Sequence, residues 1–172
     1  GELASRPPVR PAPPGQSANT AESQEAVAER PTVNAEAVSI PNPAPRAAST
    51  FLWPVRGKVL SDFGPKGSGK HNDGINIAAP RGTPIRAAEN GVVAYAGNQL
   101  EGFGNLILVR HSDGYMTAYA HGEAMLVERG QTVKRGQTIG RVGSTGNVDT
   151  PQLHFEIRRG TTAVDPSKFL GG

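Results

Sequence analysis

The 172-residue sequence contains no cysteine, so disulfides, thiolate metal sites and a thiol nucleophile are all excluded. Long apolar runs are absent as well, and no stretch of 18 apolar residues reads as a membrane-spanning helix. Aromatic residues are scarce, nine in all, and none falls within residues 1–50. That segment instead holds nine of the 15 prolines. It cannot bury enough apolar area to offset an ordering entropy of roughly 1–2 kcal/mol per residue. Residues 1–50 are therefore expected to form a disordered Pro/Ala-rich linker. Residues 51–170 are expected to form one folded domain, long enough for a modest core. Charge is also unconcentrated. Residues 51–172 carry 14 Lys and Arg against 10 Asp and Glu (+4), and residues 1–50 carry four against five (−1). No basic run occurs, which argues against a nucleic-acid partner, whereas weak attraction to an anionic polymer such as cell wall is compatible. The chain opens on Gly1 without a hydrophobic signal core and reads as a processed protein or an excised fragment.

Residues 1–20 read as a polyproline-type spacer. Thr20 to Arg30, rich in Ala, Glu and Gln and closed by Pro31, reads as a nascent helix too short to be stable alone in water. A flexible tether of this kind spans roughly 35 Å root-mean-square for forty residues. The texture changes at Phe51. Trp53–Val55 and Val59–Leu60 read as extended, and Gly64–Lys70 as a loop without the spacing of a phosphate-binding loop. Short β-like runs follow at 74–78, 84–88, 92–96, 105–111, 115–121, 138–142 and 152–158. Asn90-Gly91 and Asp113-Gly114 are hairpin dipeptides. No apolar 3.6 period is sustained after residue 50. The expected fold is therefore all-β, a small β-sandwich or open barrel. The repeat of Arg-Gly-Gln-Thr at 129–132 and 135–138 marks two closely spaced turns. They resemble those of biotinyl and lipoyl carrier domains, the barrel-sandwich hybrids. No lysine sits at a carrier's hairpin tip, so the echo supports the fold class rather than carriage.

The residues with chemistry fall in three clusters: His71 to Asn76, Thr117 to His121, and Gln152 to Ile157. The last alternates strictly, with apolar Leu153, Phe155 and Ile157 against polar Gln152, His154 and Glu156. A strand therefore sends one set into a core and lines the opposite face with the other. By the same period Thr117, Tyr119 and His121 are expected to share a face. Two strands presenting His on one face would make half a metal site.

The order of these segments carries a resemblance: Phe63-Gly64, Gly74 to Pro84, Ala88 to Val93, Gly104-Asn105, Tyr119-Ala120-His121, the two Gly-Gln turns, Gly143 to Gly146, and Leu153 to Glu156. Over about residues 51–170 the chain is similar to the LytM/lysostaphin family of zinc endopeptidases, which cut peptide cross-links in bacterial cell wall. Active members hold zinc through the His and Asp of an H-x-G-x-D segment and the second His of an H-x-H segment. The first His of H-x-H and the His of a Y-x-H segment assist the water. Aligned on Gly74, the first two ligand positions are Asn72 and Asn76, and H-x-H becomes Gln152-Leu153-His154. His154 and His121 alone match. A carboxamide is a weak neutral donor and Gln152 cannot take up a proton at neutral pH, so zinc and catalysis are both expected to be absent.

The degenerate members of this family are cell-division factors of the EnvC, NlpD and DipM kind, and the Pro-rich lead-in and Asn-Asp-Gly-Ile-Asn segment most resemble the DipM kind. The resemblance implies a non-enzymatic, monomeric protein of the Gram-negative periplasm that acts at the division site and activates cell-wall hydrolases, chiefly N-acetylmuramoyl-L-alanine amidases. The former substrate groove, at Asn72, Asn76, Tyr119, His121, Gln152 and His154, would bind a regulatory segment of the amidase. Two competing readings are an active zinc endopeptidase and a passive peptidoglycan-binding module. The first would need a bulge that brings in His71 with Asp73 beside it; otherwise His71 is an exposed loop residue. His111 reads as a surface or structural residue. His121 and His154 are either remnants of the site or hydrogen-bonded structural groups.

Overall fold

A computed structural model describes residues 40–171, which form one unit. The strands are β1 (Val59–Ser61), β2 (Gly64–Gly67), β3 (Lys70–Asn72), β4 (Ile75–Ala78), β5 (Pro84–Arg86), β6 (Gly91–Gly97), β7 (Asn105–Arg110), β8 (Tyr115–Met125), β9 (Thr132–Val133), β10 (Thr138–Val142), β11 (Gln152–Arg159) and β12 (Thr162–Val164). The helical elements among the described residues are two short 3₁₀ turns, Ser112–Gly114 and Pro166–Lys168. The fold is all-β. One sheet runs in the order β9-β6-β7-β8-β11-β4-β1, with β12 on β11 and with β10 bridging β8 and β5; β2 and β3 form a separate hairpin.

The long strand β8 organises this sheet. Its first half pairs with β7 and β11, then its register shifts and its second half pairs with β10. The sheet thus turns over on itself and encloses a core of Ile75, Ile77, Ile85, Val93, Ile107, Val109, Tyr119, Ile139, Leu153, Phe155 and Ile157. Apolar residues at alternate positions of β4, β7 and β11 supply the inner face because side chains in a strand alternate sides. Phe51 ties the two ends of the domain together. Its backbone bonds to Phe169 and Gly171, and the Arg46 guanidinium lies 5.5 Å from its ring centroid.

The strand readings from 74 onward match the observed elements closely. Three local expectations differ. Gly64–Lys70 is not a plain loop: β2 and β3 pair as a hairpin whose tip, Gly67 to Gly69, has three consecutive positive φ angles. Asn90-Gly91 does not close a hairpin, because its flanking strands β5 and β6 pair with other strands. Gly91 is there for closeness, since a Cβ would collide with Arg110 O. Asp113-Gly114 does join the paired strands β7 and β8, with φ of 64° and 80°. The expected linker divides into two parts. Residues 1–39, including the Thr20–Arg30 segment, lie outside the described residues. Residues 40–50 lie against the domain: Ala47 and Ala48 N–H groups donate to the Glu89 carboxylate at 2.8 and 3.1 Å, and Asn90 donates to Pro45 O at 3.0 Å. A chain poor in apolar residues is held here by backbone hydrogen bonds, which composition does not register.

The two Gly-Gln turns share one construction. Gln131 Oε1 accepts from Glu128 N–H at 3.2 Å and Gln137 Oε1 from Lys134 N–H at 3.0 Å, with Gly130 and Gly136 in the left-handed region. Each glutamine supplies its turn with an acceptor in place of a ladder bond.

Two buried polar groups make the domain sensitive to pH. Glu89 is fully buried and accepts from Ala47, Ala48 and Asn90 N–H groups and from Arg135. Burial alone would raise its carboxyl, but those three backbone donors and the arginine outweigh it and hold it below the usual range. His111 donates through Nδ1 to Asn90 O at 2.7 Å, and its Nε2 lies 2.8 Å from Thr117 Oγ1. Its burial pushes the imidazole below its ordinary value, against the Asn90 carbonyl and Glu89. A depressed histidine protonates first in the unfolded chain, so stability is expected to decline as pH falls below about 6.5. The Glu89 contribution is present above about pH 4.3 and is lost as pH falls through its lower folded value. Thermal midpoints measured from pH 8 to pH 3 should show both declines. Glu89→Ala removes the carboxylate partner of Arg135 and leaves three N–H groups without their acceptor, and should cost about 3–5 kcal/mol at neutral pH.

Candidate functional site

The pairing of β8 with β11 sets the site. Tyr119 opposes Phe155 and Ala120 opposes His154. Residues directly opposite share a face, so Leu153, Phe155 and Ile157 enter the core with Tyr119, while Gln152, His154 and Glu156 line the far side with Ala118 and Ala120. Gly74 lets β4 come close on the other flank, because a Cβ there would overlap Phe155 O. Asn76 in β4 then stands opposite His154, and Asn72 precedes it by one turn of chain.

Strict alternation would place His121 in the core beside Tyr119. Instead the register against β7 shifts between Tyr119 and Gly122, and His121 takes φ of 72°, an uncommon value for a residue with a side chain. This turns its ring to the site side, 6.1 Å from that of His154. Three bonds hold it there: its N–H donates to Phe103 O, its carbonyl accepts from Thr145 N, and its Nδ1–H donates to Thr145 O at 2.8 Å. Burial pushes the His121 imidazole down, the Thr145 carbonyl opposes this, and the charge of His154 adds to it. Its Nε2 therefore keeps a lone pair. Tyr119 goes elsewhere. It is 1 % exposed, and its hydroxyl lies 2.9 Å from Ala88 N and 2.7 Å from Thr117 Oγ1. Burial pushes its phenol up to about 12. The placement of Tyr119 in the groove is thus corrected, because the face it shares with Thr117 is the core face and the bulge removes His121 from that set.

Asn72, Asn76 and Gln152 are joined in one chain of amides. Asn72 Oδ1 accepts from Gly74 N–H at 3.0 Å, and its Nδ2 donates to Ser61 Oγ at 2.9 Å and to Asn76 Oδ1 at 3.1 Å. Asn76 Nδ2 donates to Gln152 Oε1 at 2.9 Å, and Gln152 Nε2 donates to Thr150 O at 3.2 Å. One end is a backbone N–H, which can only donate, and the other a backbone carbonyl, which can only accept. Every amide between them therefore has one permitted orientation. Asn76 Oδ1 is consequently an acceptor, and His154 Nδ1, 3.1 Å away, is its donor. The other ring nitrogen, Nε2, is 2.8 Å from Glu156 Oε2, while Arg158 Nε donates to Glu156 Oε1 at 2.8 Å. Burial would raise the Glu156 carboxyl, but His154 and Arg158 outweigh it and keep it a carboxylate. Both His154 ring nitrogens are thus engaged in hydrogen bonds within the protein, one to Asn76 and one to Glu156.

These residues do not fit zinc. A catalytic site needs about three imidazole or carboxylate donors with free lone pairs. Here both His154 nitrogens and Asn76 Oδ1 are committed, which leaves His121 Nε2. His71 gives no rescue: it is exposed in β3, bonded to Asp73 at 3.1 Å and edge-on to Phe63. Among the described residues no group of three or more His, Cys, Asp or Glu is gathered for a metal. His111 is buried and structural.

What remains is a cavity of about 310 Å³, walled by Asn76, Phe103, His121 and His154 with Glu101 and Asn147 at its rim. Of the six groove residues named from sequence, Asn76, His121 and His154 line it, Asn72 and Gln152 fix Asn76 from behind, and Tyr119 does not take part. Sequence reasoning did not name Ser61, Phe103, Thr145 and Thr150 as site residues; Thr145 lies in the Gly143 to Gly146 segment already noted, and the other three lie outside the quoted motifs. Glu156 was the one signalled, by its place in the alternation.

A half-barrel of antiparallel strands with a His pair at the edge of a groove defines a class of protein, and comparison with known proteins says which. Residues 70–166 match the model of peptidase family M23, and the chain belongs to that family. It is 51% identical over 118 residues to the cell division protein DipM of Caulobacter vibrioides, covering 69% of this chain and 19% of that one. It is 46% identical over 122 residues to the murein hydrolase activator NlpD of Escherichia coli, covering 71% and 31%. The chain thus spans less than half the length of these curated relatives. Among solved structures, the catalytic domain of lysostaphin from Staphylococcus simulans matches with a TM-score of 0.61 at 35% identity, over 66% of this chain and 91% of that one. A zinc-containing peptidase from Vibrio cholerae matches with a TM-score of 0.63 at 33% identity, over 68% and 39%.

The amide chain generates a test. A chelator should leave the thermal midpoint unchanged, whereas a fall on chelation would reveal a bound metal. Gln152→Leu removes the acceptor for Asn76 Nδ2 and should cost about 1–3 kcal/mol in denaturant unfolding.

Proposed function

We propose that this domain is a non-catalytic activator of cell-wall hydrolases, specifically of N-acetylmuramoyl-L-alanine amidases, in division of a Gram-negative cell. The observation that carries the reading is the commitment of His154. An amide chain anchored in backbone at both ends occupies the positions where the family's peptidases hold zinc, and it leaves a preformed groove rather than a reactive centre. The naming of two relatives as a cell division protein and a murein hydrolase activator supports the same direction. Periplasmic location follows from the substrate of the hydrolases it would serve.

In this mechanism the groove takes up a regulatory segment of the amidase, with His121 Nε2 receiving an N–H and Phe103 packing on the bound chain. Capture draws the amidase toward the form in which that segment is released. The shift is bounded by the difference in groove affinity for the two states, and about 5.5 kcal/mol would carry it from 1:99 to 99:1. The test measures release of dye from labelled sacculi by an amidase with and without the full chain. The chain is expected to raise amidase turnover, to release nothing by itself with or without added zinc, and to lose its effect with Gln152→Phe. Cross-link cleavage by the chain with stoichiometric zinc would overturn the reading.

A further inference from the structure

The face of the sheet turned away from the core carries a second cavity, of about 160 Å³, walled by Leu100, Phe103, Leu106 and Leu108 with Ala118 at its floor. Its shape follows from register. Ala118 of β8 stands opposite Leu108 of β7 and opposite Glu156 of β11, and Ala120 stands opposite His154. Small side chains on the middle strand, between larger ones on both neighbours, leave a furrow along β8. Leu100 and Phe103, from the loop at 98–104, close the furrow on one side. Phe103 also lines the groove at His121 and His154, so a single ring stands between the two spaces.

The two spaces suit different chemistry. The polar groups lining the furrow, Glu156 and Arg158, are bonded to each other at 2.8 Å, and Arg158 also pairs with Asp73 at 3.6 Å. Their charges cancel, so an apolar side chain is the occupant that fits; a dry cavity of about 150 Å³ holds a benzene-sized group. Leu100 adds apolar area that binding would remove from water, since it is 47 % exposed. The groove differs. Its rim carries the Glu101 carboxylate, which has no cationic partner among the described residues, and its wall carries the His121 Nε2 lone pair. Both are acceptors and suit the donors of a lysine or arginine side chain. Leu100 and Glu101 are consecutive, so one short segment can meet the apolar and the acidic group together. An anionic lipid surface fits poorly, because the same carboxylate repels its headgroups.

We propose that the furrow is a docking pocket for an aliphatic side chain of a basic amphipathic partner segment, whose cation meets Glu101. On the reading of the groove as the partner site, on which this rests, the segment must carry an aliphatic residue and a Lys or Arg close together. The furrow supplies affinity by burying the aliphatic group with Leu100. Glu101 supplies selection, since an acidic segment of the same shape is repelled.

The full chain, labelled at its leucine methyl groups, would be titrated with a helical peptide of leucine and lysine and with its counterpart in which glutamate replaces lysine. Saturable shifts at Leu100 and Leu108 are expected with the first peptide, weakening as salt is added, and the second should bind at least tenfold more weakly. Leu100→Asp and Glu101→Lys should each weaken the first peptide at least tenfold at an unchanged thermal midpoint. Leu126→Asp, at a residue just as exposed (49 %) but outside both spaces, should bind it as the wild type does. No shift at Leu100 and Leu108, equal binding of the two peptides, or indifference to both variants would overturn the proposal. So would the same shifts on concentrating the free chain, which assign the pocket to a second copy. Shifts on adding a synthetic peptide of residues 1–39, or vesicles of anionic lipid, would equally reassign it. Both variants should also stimulate the amidase at least tenfold less than the wild type, and undiminished stimulation by both would overturn the proposal too. A wild-type chain that stimulates no amidase would sink the activator reading, while the peptide titration still decides the pocket.

Discussion

The register of β8 against β11 is the constraint on which the rest of the domain depends. Setting Tyr119 opposite Phe155 and Ala120 opposite His154 fills the core from one face of both strands and builds the groove from the other. A slip of one residue would exchange the two sets, burying Gln152, His154 and Glu156 among isoleucines. Core packing therefore determines the site. Gly74 extends the same constraint to β4, because only a residue without a side chain lets Asn76 approach His154.

On that frame the polar face solves a problem usually left to a metal. In a site that holds zinc, the ion gathers buried donors from separate strands. Here Ser61, Asn72, Asn76, Gln152 and Thr150 satisfy one another in sequence, and His154 joins through Asn76 to the Glu156–Arg158 pair. Buried polar groups must be paired, and a fully connected network does this without an ion. It also engages Asn76 Oδ1 and both ring nitrogens of His154 in hydrogen bonds within the protein. His121 holds a positive φ of 72° within this arrangement, kept there by its bonds to Phe103 and Thr145, and it lines the cavity.

Much of this was legible in the sequence. The alternation of Gln152 to Ile157 gave both faces of β11, and the lack of a 3.6 period gave the fold class. The replacement of ligand types at 72, 76 and 152 was visible letter by letter. Hairpin chemistry was read correctly at Asp113-Gly114 and incorrectly at Asn90-Gly91. A glycine needed for close approach looks the same in a sequence as one needed for a turn. The packing of residues 40–50 was also hidden, because Ala47 and Ala48 are held through backbone N–H groups by Glu89, more than 40 residues away.

Sequence by itself determined which donors exist: two imidazoles and three carboxamides where zinc chemistry wants imidazole and carboxylate, on strands of known facing. Donor identity is covalent and needs no fold to be read. Tertiary structure alone decided how those donors are used. It moved His121 across the sheet by a bulge, kept Tyr119 in the core, and oriented each amide from Gly74 to Thr150. Those outcomes rest on contacts between residues up to 78 positions apart, such as Asn76 with His154, and no local pattern encodes the direction in which a carboxamide will point.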